Sequence, residues 1–508
     1  MSLKIIIDEK EAALPADTEV CLKLHNYFFE DRDNDATYPI TLNLNANRHI
    51  FGYPERISEK IQPTEYAAAI FFGPYCLLRG KCIITDFTQD EIEVFLSESQ
   101  SSFWEKCNVR LTNLDLGGEN FTGLLAMMTA FTESLHGGKD YIVCPLYDPY
   151  VNNIYLNLWM PFYNYLTPAT DTNSAFKTQA SENSKCLFAP FIRLNSLIEK
   201  IATALGYTVE RNDLIRDSQF KDIIVVCRNN AMDPLNLRPG FNYADRVPDI
   251  KTSDLILEIE NKFGCRFFVE ESSKTISILS LDYSDAYHEV TVTDSWQKHI
   301  LDKEDQHQGF VFTDKEIPDK YLEKYYENDD LNRITGDEEN AEKIECISAP
   351  VGWSSTNITL GYIHHMAVAA DYENDQAYLK NIREELRFAI YRGYIKYNPD
   401  SAITGNTYYP YPIATPEPIS SGKNNMSLLY WGDGNLYDKY LRNWVEIMLQ
   451  ICSEMEFQLE NKLIYLSNPQ QLFSKILLIN KKKFRCYEQE IKLNQDYITE
   501  YLIRCYPA

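Results

Sequence analysis

Histidine, the side chain that most often binds metals in proteins, is sparse in this chain and poorly placed for chelation. Eight histidines occur, and only His364 and His365 are adjacent. Adjacent residues point to opposite sides of a strand, or lie ~100° apart around a helix, so these two imidazoles do not form a ready chelate. The sequence therefore predicts no metal site at the histidines.

Three aspartates at alternate positions resemble the first half of a calcium-binding loop. Asp31, Asp33 and Asp35 have the spacing of the first three ligands of such a loop. The sixth position, where the loop needs glycine, is Ala36, and the twelfth, where it needs a bidentate glutamate, is Leu42. A solvated loop is the better interpretation, and no calcium site is predicted.

Motifs for phosphate binding and nucleophilic catalysis are incomplete. Ser421 to Lys423 lacks the upstream glycine of a P-loop, and Gly432 to Gly434 lacks the third glycine of a dinucleotide site. No Gly-x-Ser-x-Gly elbow is present. A pair of carboxylates ~5 to 10 Å apart, as in glycoside hydrolases, leaves no mark in a sequence with 74 acidic residues. We therefore predict no catalytic, cofactor-binding or metal-binding residue and a structural protein, with a hydrolase kept as an alternative.

The cysteines indicate a chain that folds with reduced thiols. None of the twelve belongs to a Cys-x-x-Cys pair, and most lie inside apolar runs. They are Cys21, Cys76, Cys82, Cys107, Cys144, Cys186, Cys227, Cys265, Cys346, Cys452, Cys486 and Cys505. No signal peptide is recognised, so assembly in the cytoplasm is expected, where disulfides are rare. No membrane span is expected either, because the longest apolar stretch, Gly123 to Phe131, is far below the ~20 residues that a spanning helix needs.

Acidic residues dominate the charge balance. The formal net charge is −25, whereas binding to nucleic-acid phosphates needs clustered lysine and arginine, so nucleic-acid recognition is excluded. An acidic wall would suit a conduit for DNA because like charges repel, but surface charge kept for solubility is the simpler explanation. With 44% hydrophobic residues and both charge signs spread along the chain, folding is expected throughout.

Short alternating segments separated by turn residues predict a β-barrel-like domain over residues 1–166. The expected strands are Lys4 to Ile7, Val20 to Leu24, Tyr38 to Leu44, Tyr66 to Phe72, Leu77 to Phe87, Ile92 to Leu96 and Val109 to Leu111. A helix over Asn120 to Leu135 and a strand over Tyr141 to Cys144 are expected to pack against this unit. A linker rich in Thr, Ser and Asn follows over residues 167–190.

A helix and a strand hairpin are predicted within an α+β domain over residues 191–285. The apolar face of the helix consists of Leu255, Ile256, Ile259 and Phe263. Asp249 or Thr252 can cap its start, and Gly264 can end it in the left-handed conformation. Alternation of apolar and polar residues then predicts paired strands over 265–270 and 275–281. Earlier in this domain, Leu194 to Leu205 is predicted as a helix and Ile223 to Val226 as a strand.

The rest of the chain divides into an acidic and aromatic region over 286–425 and a final unit over 426–508. In the first, Lys315 to Tyr326 and Tyr378 to Tyr391 are expected to be charged helices. In the second, Asn435 can cap a helix with a wide apolar face that includes Trp444. The strands expected after it, which complete a second barrel-like unit, are Glu454 to Leu459, Ile476 to Ile479, Phe484 to Leu493 and Ile498 to Cys505.

Four blocks of this sequence resemble, in the same order, segments of tail hub proteins carried by phages and prophages of the Bacteroides group. The blocks are Tyr38 to Pro54, Pro190 to Gly206, Val247 to Gly264 and Gly434 to Trp444. In the third block the matching positions are Val247, Pro248, Asp249, Ile250, Leu257, Phe263 and Gly264, although Val247 replaces the leucine that usually precedes Pro-Asp. No part of Ala286 to Lys423 matches.

The resemblance implies a ring-forming hub, related to those of contractile injection systems, where the six-fold tail tube meets a three-fold spike. It implies an α+β, β-rich, multidomain fold with two small β-barrel-like hub domains side by side and an intervening α+β region. The expected partners are further copies of the chain in a homotrimer, the tail tube protein, the spike or tip protein, and other baseplate or fibre proteins. The expected location is the virion tail, after assembly in the bacterial host cytoplasm.

Three alternatives stay open. The first is a tail component that binds a receptor or glycan, for which the aromatic stretch Tyr397 to Trp431 is the best feature. The second is a distal-tail ring of six identical chains. The third is a hub that also carries peptidoglycan hydrolase activity.

Overall fold

The fold was established from a computed structural model of the 508-residue chain. The structure describes residues 2–26, 28–29, 36–54, 65–98, 100–144, 146–148, 154–156, 159–160, 175–176, 179–181, 184–187, 189–227, 239–270, 273–280, 287–302, 306–314, 332–350, 352–353, 364–365, 383–397, 407–414, 426–430, 432–466, 470–473 and 475–508.

Helices are short and separated along the described residues. They are α1 Arg48–Phe51, α2 Gln100–Cys107, α3 Leu124–Ser134, α4 Leu194–Ala204, α5 Thr252–Phe263, α6 Arg442–Gln450, α7 Lys462–Leu466 and α8 Gln470–Phe473. A π-helical turn over Tyr437–Leu441 leads into α6. None of these helices is long and apolar enough to cross a bilayer.

Strands dominate, as the alternating patterns predict, and the fold class is confirmed as β-rich α+β. The first strands are β1 Leu3–Ile7, β2 Lys10–Glu11, β3 Val20–His25, β4 Ala36–Thr37, β5 Ile40–Asn43, β6 Glu65–Phe72, β7 Tyr75–Phe87, β8 Glu91–Glu98, β9 Gly118–Asn120, β10 Tyr141–Ile142, β11 Leu146–Asp148, β12 Ile154–Leu156, β13 Trp159–Met160, β14 Ala175–Phe176, β15 Gln179–Ser181 and β16 Ser184–Leu187. The middle strands are β17 Phe191–Arg193, β18 Thr208–Asn212, β19 Ile223–Val226, β20 Gly240–Asn242, β21 Cys265–Glu270, β22 Thr275–Ser280, β23 Tyr287–Glu289 and β24 Val292–Ile300. The last strands are β25 Gly309–Thr313, β26 Asn332–Gly336, β27 Glu342–Glu345, β28 Ser348–Pro350, β29 Gly352–Trp353, β30 His364–His365, β31 Leu386–Tyr397, β32 Thr407–Ile413, β33 Ser453–Leu459, β34 Ile476–Ile479, β35 Lys482–Leu493 and β36 Ile498–Pro507.

One large sheet joins the two ends of the chain. It is 14-stranded, and its main path runs β2-β1-β6-β7-β8-β4-β3-β35-β36-β33-β24. The N-terminal and C-terminal strands meet where β3 pairs antiparallel with β35, from Val20 opposite Leu493 to His25 opposite Glu488. The apolar residues of both ends therefore pack into a single core.

The C-terminal strands form a series of pairings whose two ends are neighbours in the chain. From β23 the series passes through β34, β35, β36 and β33 to β24. Only Val290 and Thr291 separate β23 from β24 in the chain, so the two ends of the series lie next to each other. The buried side chains of Val290, Phe457 and Leu477 lie in the core of this unit. The unit is therefore barrel-like, with the chain connection between β23 and β24 bringing the ends of the series together.

The N-terminal strands curve toward closure on the same β35. The Leu3 amide at the start of the path donates to the Gln495 carbonyl just after β35 at 2.9 Å. The Gln495 side chain in turn donates to the carbonyl of Pro15 at 2.8 Å. The long strand β35 thus serves both units, pairing with β34 through its first residues and with β3 through its last. A register shift between Cys486 and Glu488 separates the two halves.

A second apolar core lies in the middle of the chain. Helices α4 and α5 pack there against the sheet β10-β17-β19-β31-β28 and the hairpin β21-β22. The predicted helix and hairpin are confirmed: α5 ends at Gly264, whose φ of 55° is left-handed, and β21 pairs with β22. The predicted domain boundaries stay a prediction.

Three local predictions are wrong. Val109 to Leu111 is not a strand, because Arg110 forms only an isolated bridge to Lys251 and a 3-10 turn begins at Leu111. Tyr378 to Tyr391 is not a helix, because Leu386–Tyr397 is the strand β31, held between β19 and β32. The third error concerns the start of α5. The segment Lys315 to Tyr326, predicted as a helix, lies outside the described residues.

Neither residue expected to cap α5 does so. The N-cap position is Lys251, and it makes no side-chain capping bond. Thr252 donates its hydroxyl to the Val109 carbonyl at 2.8 Å, and a carboxylate oxygen of Asp249 accepts from the Thr112 hydroxyl at 2.8 Å. Both side chains are engaged by the segment around residues 109–112, a long-range contact that outweighs local capping.

Candidate functional site

Charged side chains cover the outer face of the strands that the two barrel-like units share. Arg504 on β36 is at the centre, because β35 and β33 place glutamates on either side of it. Its Nε donates to Glu456 at 3.0 Å, its Nη2 donates to Glu490 at 3.3 Å, and its Nη1 pairs with Glu488. We call this set, with the lysines described next, the Arg504 ladder.

Two lysines extend the Arg504 ladder. Lys492 pairs with Glu500 at 2.6 Å and with Glu490 at 3.5 Å. Lys23 on β3 lies 3.8 Å from Glu488. The ladder therefore runs across strands from both ends of the chain, and its four glutamates (Glu456, Glu488, Glu490 and Glu500) exceed its three cations by one charge.

The inner carboxylates of the Arg504 ladder are nearly buried. Glu488 and Glu490 each keep 7% of their surface exposed. Such carboxylates require cations in direct contact, because an unpaired buried charge is costly. Burial lowers the pKa of Arg504 but its glutamates raise it by more, and the hydrogen bond to Glu500 raises the pKa of Lys492. Because each of its cations is already paired with a glutamate, the Arg504 ladder is poorly suited to holding phosphates.

An aromatic junction joins the shared strands to the middle core. Tyr487 and Tyr506, on β35 and β36, stack with ring centroids 4.2 Å apart, and Phe29 meets Tyr506 edge-on at 5.7 Å. The indole Nε1 of Trp444 on α6 donates to the Phe28 carbonyl at 3.0 Å. Trp444 is one of the residues that carry the family resemblance, and here its role is to connect two packed units.

A buried polar cluster lies beneath α5. The Lys262 ammonium forms an ion pair with Asp314, donates to the Ser348 hydroxyl at 2.9 Å, and lies 4.0 Å from Glu258. Glu258 accepts from the backbone amides of Ile347 at 2.7 Å and Ser348 at 3.2 Å. These contacts hold the segment before β28 against the helix.

The polar cluster carries one more negative than positive charge when both carboxylates are ionised. Lys262, Glu258 and Asp314 are each at most 2% exposed. Burial raises the pKa of Asp314 to about 6, although the Lys262 ammonium opposes the shift. Among the described residues, nothing donates to the Oδ2 atom of Asp314. Burial likewise raises the pKa of the neighbouring Cys346 and Tyr430 groups, so both stay neutral at physiological pH.

This cluster was not predicted from the sequence. Glu258 and Lys262 lie off the apolar face of an amphipathic helix, which usually means solvent exposure. Their burial comes from residues far along the chain, Asp314 and Ile347 among them. No sequence pattern within α5 indicates that distant residues bury these side chains.

Of the residues singled out for metal and phosphate chemistry, the structure describes the positions of His364, His365, Gly432 and Gly434. His364–His365 forms the two-residue strand β30. Gly432 and Gly434 lie in a turn with φ of 82° and 67°. Asp31, Asp33, Asp35 and Ser421 to Lys423 lie outside the described residues. Within the described ranges, no group of three or more His, Cys, Asp or Glu could hold a metal ion.

Comparison with known proteins gives distant structural neighbours. No protein-family model matches the chain, and no curated protein matches it. The 43 kDa tail protein of prophage MuSo2 from Shewanella oneidensis is 6% identical with a TM-score of 0.37, over 100% of this chain and 98% of that chain. The tail protein from Neisseria meningitidis MC58 is 8% identical with a TM-score of 0.31, over 100% of this chain and 96% of that chain. Both TM-scores are below 0.5, so neither likeness assigns a fold or a function to this chain.

Proposed function

We propose that this chain is a structural hub protein of a phage or prophage tail, in which three copies form a pseudo-six-fold ring. The ring joins the tail tube to the central spike or tip. The observation that carries the proposal is the pair of barrel-like units built from opposite ends of one chain and joined through β35. Three chains with two such units each present six related surfaces to a six-fold tube.

The Arg504 ladder supports this assignment. It lies where the two units meet and contains strands from both, so it would face a neighbouring protein or the lumen at the same place in every copy. Its charges are already paired within the chain. Passing DNA would therefore meet no dense positive surface at this place to which it could adhere.

The proposed partners are two further copies of the chain, the tube protein, the spike or tip protein, and other baseplate or fibre proteins, in the virion tail. The proposal includes no catalytic activity, in keeping with a sequence that has no complete catalytic motif. A glycan-binding role would depend on Tyr397 to Trp431, of which the structure describes only 407–414 and 426–430 beyond the end of β31.

Mass measurement and imaging of the purified full chain test this proposal. We expect light scattering to give a particle of three times the 59.0 kDa chain mass. Negative-stain class averages should show an annulus with three-fold symmetry and six lobes. A particle of six chains would favour the distal-tail ring, and a monomer would contradict both. Clearing of a peptidoglycan zymogram by the monomer would favour the hydrolase.

A further inference from the structure

Two buried cysteines lie directly opposite each other on the shared strands. In the antiparallel pair β35-β36, Cys486 and Cys505 are register partners. Both side chains enter the apolar core, with 1% and 0% of their surface exposed, and both thiols are free. Directly opposed residues on antiparallel strands have Cα atoms about 4.5 or 5.5 Å apart. Either spacing lies within the ~4.4 to 6.8 Å that a disulfide spans.

We propose that Cys486 and Cys505 form an oxidative modification site, at which a low-molecular-weight disulfide such as oxidised glutathione converts the two thiols into one cross-strand disulfide. One cysteine thiolate attacks a glutathione sulfur, releasing one glutathione thiolate and leaving a mixed disulfide on the protein. The second cysteine attacks the protein sulfur of that intermediate and releases the other glutathione. Two electrons and the two thiol protons pass to glutathione, so the exchange is balanced.

The position of the pair gives the bond a structural consequence. The register shift next to Cys486 is where β35 changes from pairing with β34 to pairing with β3. A disulfide there would fasten β35 to β36 at the point where the two barrel-like units join. Chains assembled in a reducing cytoplasm would keep the thiols, and chains released into an oxidising medium would gain the bond. The chemistry itself does not depend on ring formation.

The surroundings of the two cysteines predict that the disulfide between them forms slowly. The Cys486 thiol donates to the Glu488 carbonyl at 3.3 Å, and burial raises the pKa of this thiol well above its usual range. The thiolate is the reacting species, so oxidation proceeds through brief local opening. The exposed Cys76 and Cys452 should instead take up glutathione readily as mixed disulfides.

Peptide mapping of the folded wild-type chain tests the proposal without any variant. The protein is incubated with oxidised glutathione in native buffer, free thiols are alkylated, and trypsin is added. Cleavage after Arg485, Lys492 and Arg504 separates Cys486 from Cys505. We expect a cross-linked species that joins peptide 486–492 to the peptide beginning at Cys505 and that disappears on reduction. Finding only glutathione adducts, or the cross-link only after addition of urea, would overturn the proposal.

Thermal melting supplies an independent readout. The oxidised chain should melt at a higher temperature than the reduced chain, because a cross-link restricts the unfolded state. The increase should vanish with reductant and in Cys505→Ser. The matched control is Cys82→Ser, since Cys82 is also fully buried but pairs with Tyr66 and Leu96. This control should keep the increase, and its loss there would contradict the assignment.

Discussion

Trp444 donates its indole N–H to the backbone carbonyl of Phe28 across 416 positions of sequence, at 3.0 Å. Phe28 in turn meets Phe268 on β21, with ring centroids 5.4 Å apart. Trp444 also lies 4.9 Å from the ring of Phe310 on β25. One side chain on α6 therefore links the loop after β3 to the middle core, and the barrel-like units are fixed to the rest of the chain at this point.

Replacement of Trp444 by phenylalanine should weaken that link. The smaller ring keeps an aromatic contact but removes the hydrogen bond and part of the buried surface. We expect the free energy of unfolding to fall by about 1–3 kcal/mol. Urea denaturation followed by circular dichroism measures this change. The control is Tyr497→Phe, at a side chain that is 60% exposed. Equal stability of Trp444→Phe and the wild type would show that the junction does not depend on the indole.

Substitutions at two glycines with positive φ distinguish the energetic cost of backbone strain from the cost of a steric clash with a neighbouring segment. Gly206 has φ of 85° and open space around an added Cβ, whereas at Gly264, with φ of 55°, an added Cβ would lie 2.5 Å from the Tyr440 carbonyl oxygen. Gly206→Ala should lower the free energy of unfolding by about 1 kcal/mol, because alanine is disfavoured in the left-handed region. Gly264→Ala should lower the free energy of unfolding by clearly more. The turn that contains Tyr440, which leads into α6, must then also move to make room for the added Cβ. Chemical denaturation of both variants gives the comparison, and equal losses would argue against close packing of that turn on α5.

Local structure with a clear period was predictable from this sequence. The hairpin after Gly264 and the strands Ile223–Val226 and Ile476–Ile479 were predicted at or close to their observed bounds, because alternation and turn residues specify them locally. The strand β31 was mistaken in part for a helix. Its charged Arg387 is 1% exposed, so burial on both faces removed the alternation that would have identified a strand.

The contacts between distant segments were not predictable in the same way. The pairing of β3 with β35 joins residues more than four hundred positions apart, and an apolar alternating strand does not specify its neighbour. The resemblance to hub proteins suggested two units side by side, but no residue pattern indicated that they share a strand. The cluster at Lys262 was missed for the same reason, since Asp314 and Ser348 cover it from elsewhere in the chain.

Removal of the Arg504 side chain should lower stability, because the glutamates of the Arg504 ladder would lose their central cation. Arg504→Met leaves Glu488 and Glu490, each 7% exposed, with lysines as their remaining cations. A loss of about 2–4 kcal/mol in the free energy of unfolding is expected, since breaking a largely buried pair leaves an uncompensated charge. Guanidinium would screen the effect, so urea is the denaturant to use. Arg442→Met, which removes a solvent-exposed pair with Asp438, should leave stability unchanged within error. A similarly small effect at Arg504 would mean that the ladder is not stabilising.

Stability near neutral pH should depend on the proton of Asp314. Its pKa is raised from 3.8 to about 6 in the folded chain, so folding favours the protonated carboxyl. The stabilisation that this proton provides is fully present below about pH 4 and is lost as the pH rises through 6. Asp314→Asn keeps an acceptor for Lys262 and leaves Glu258 as the single balancing charge. The variant should therefore gain stability relative to the wild type between pH 4 and pH 7.5, by at most about 3 kcal/mol. Urea titrations across this range measure the difference, with the exposed Asp496→Asn as the control. Parallel profiles for Asp314→Asn and the wild type would show that this carboxyl does not titrate near pH 6 in the folded chain.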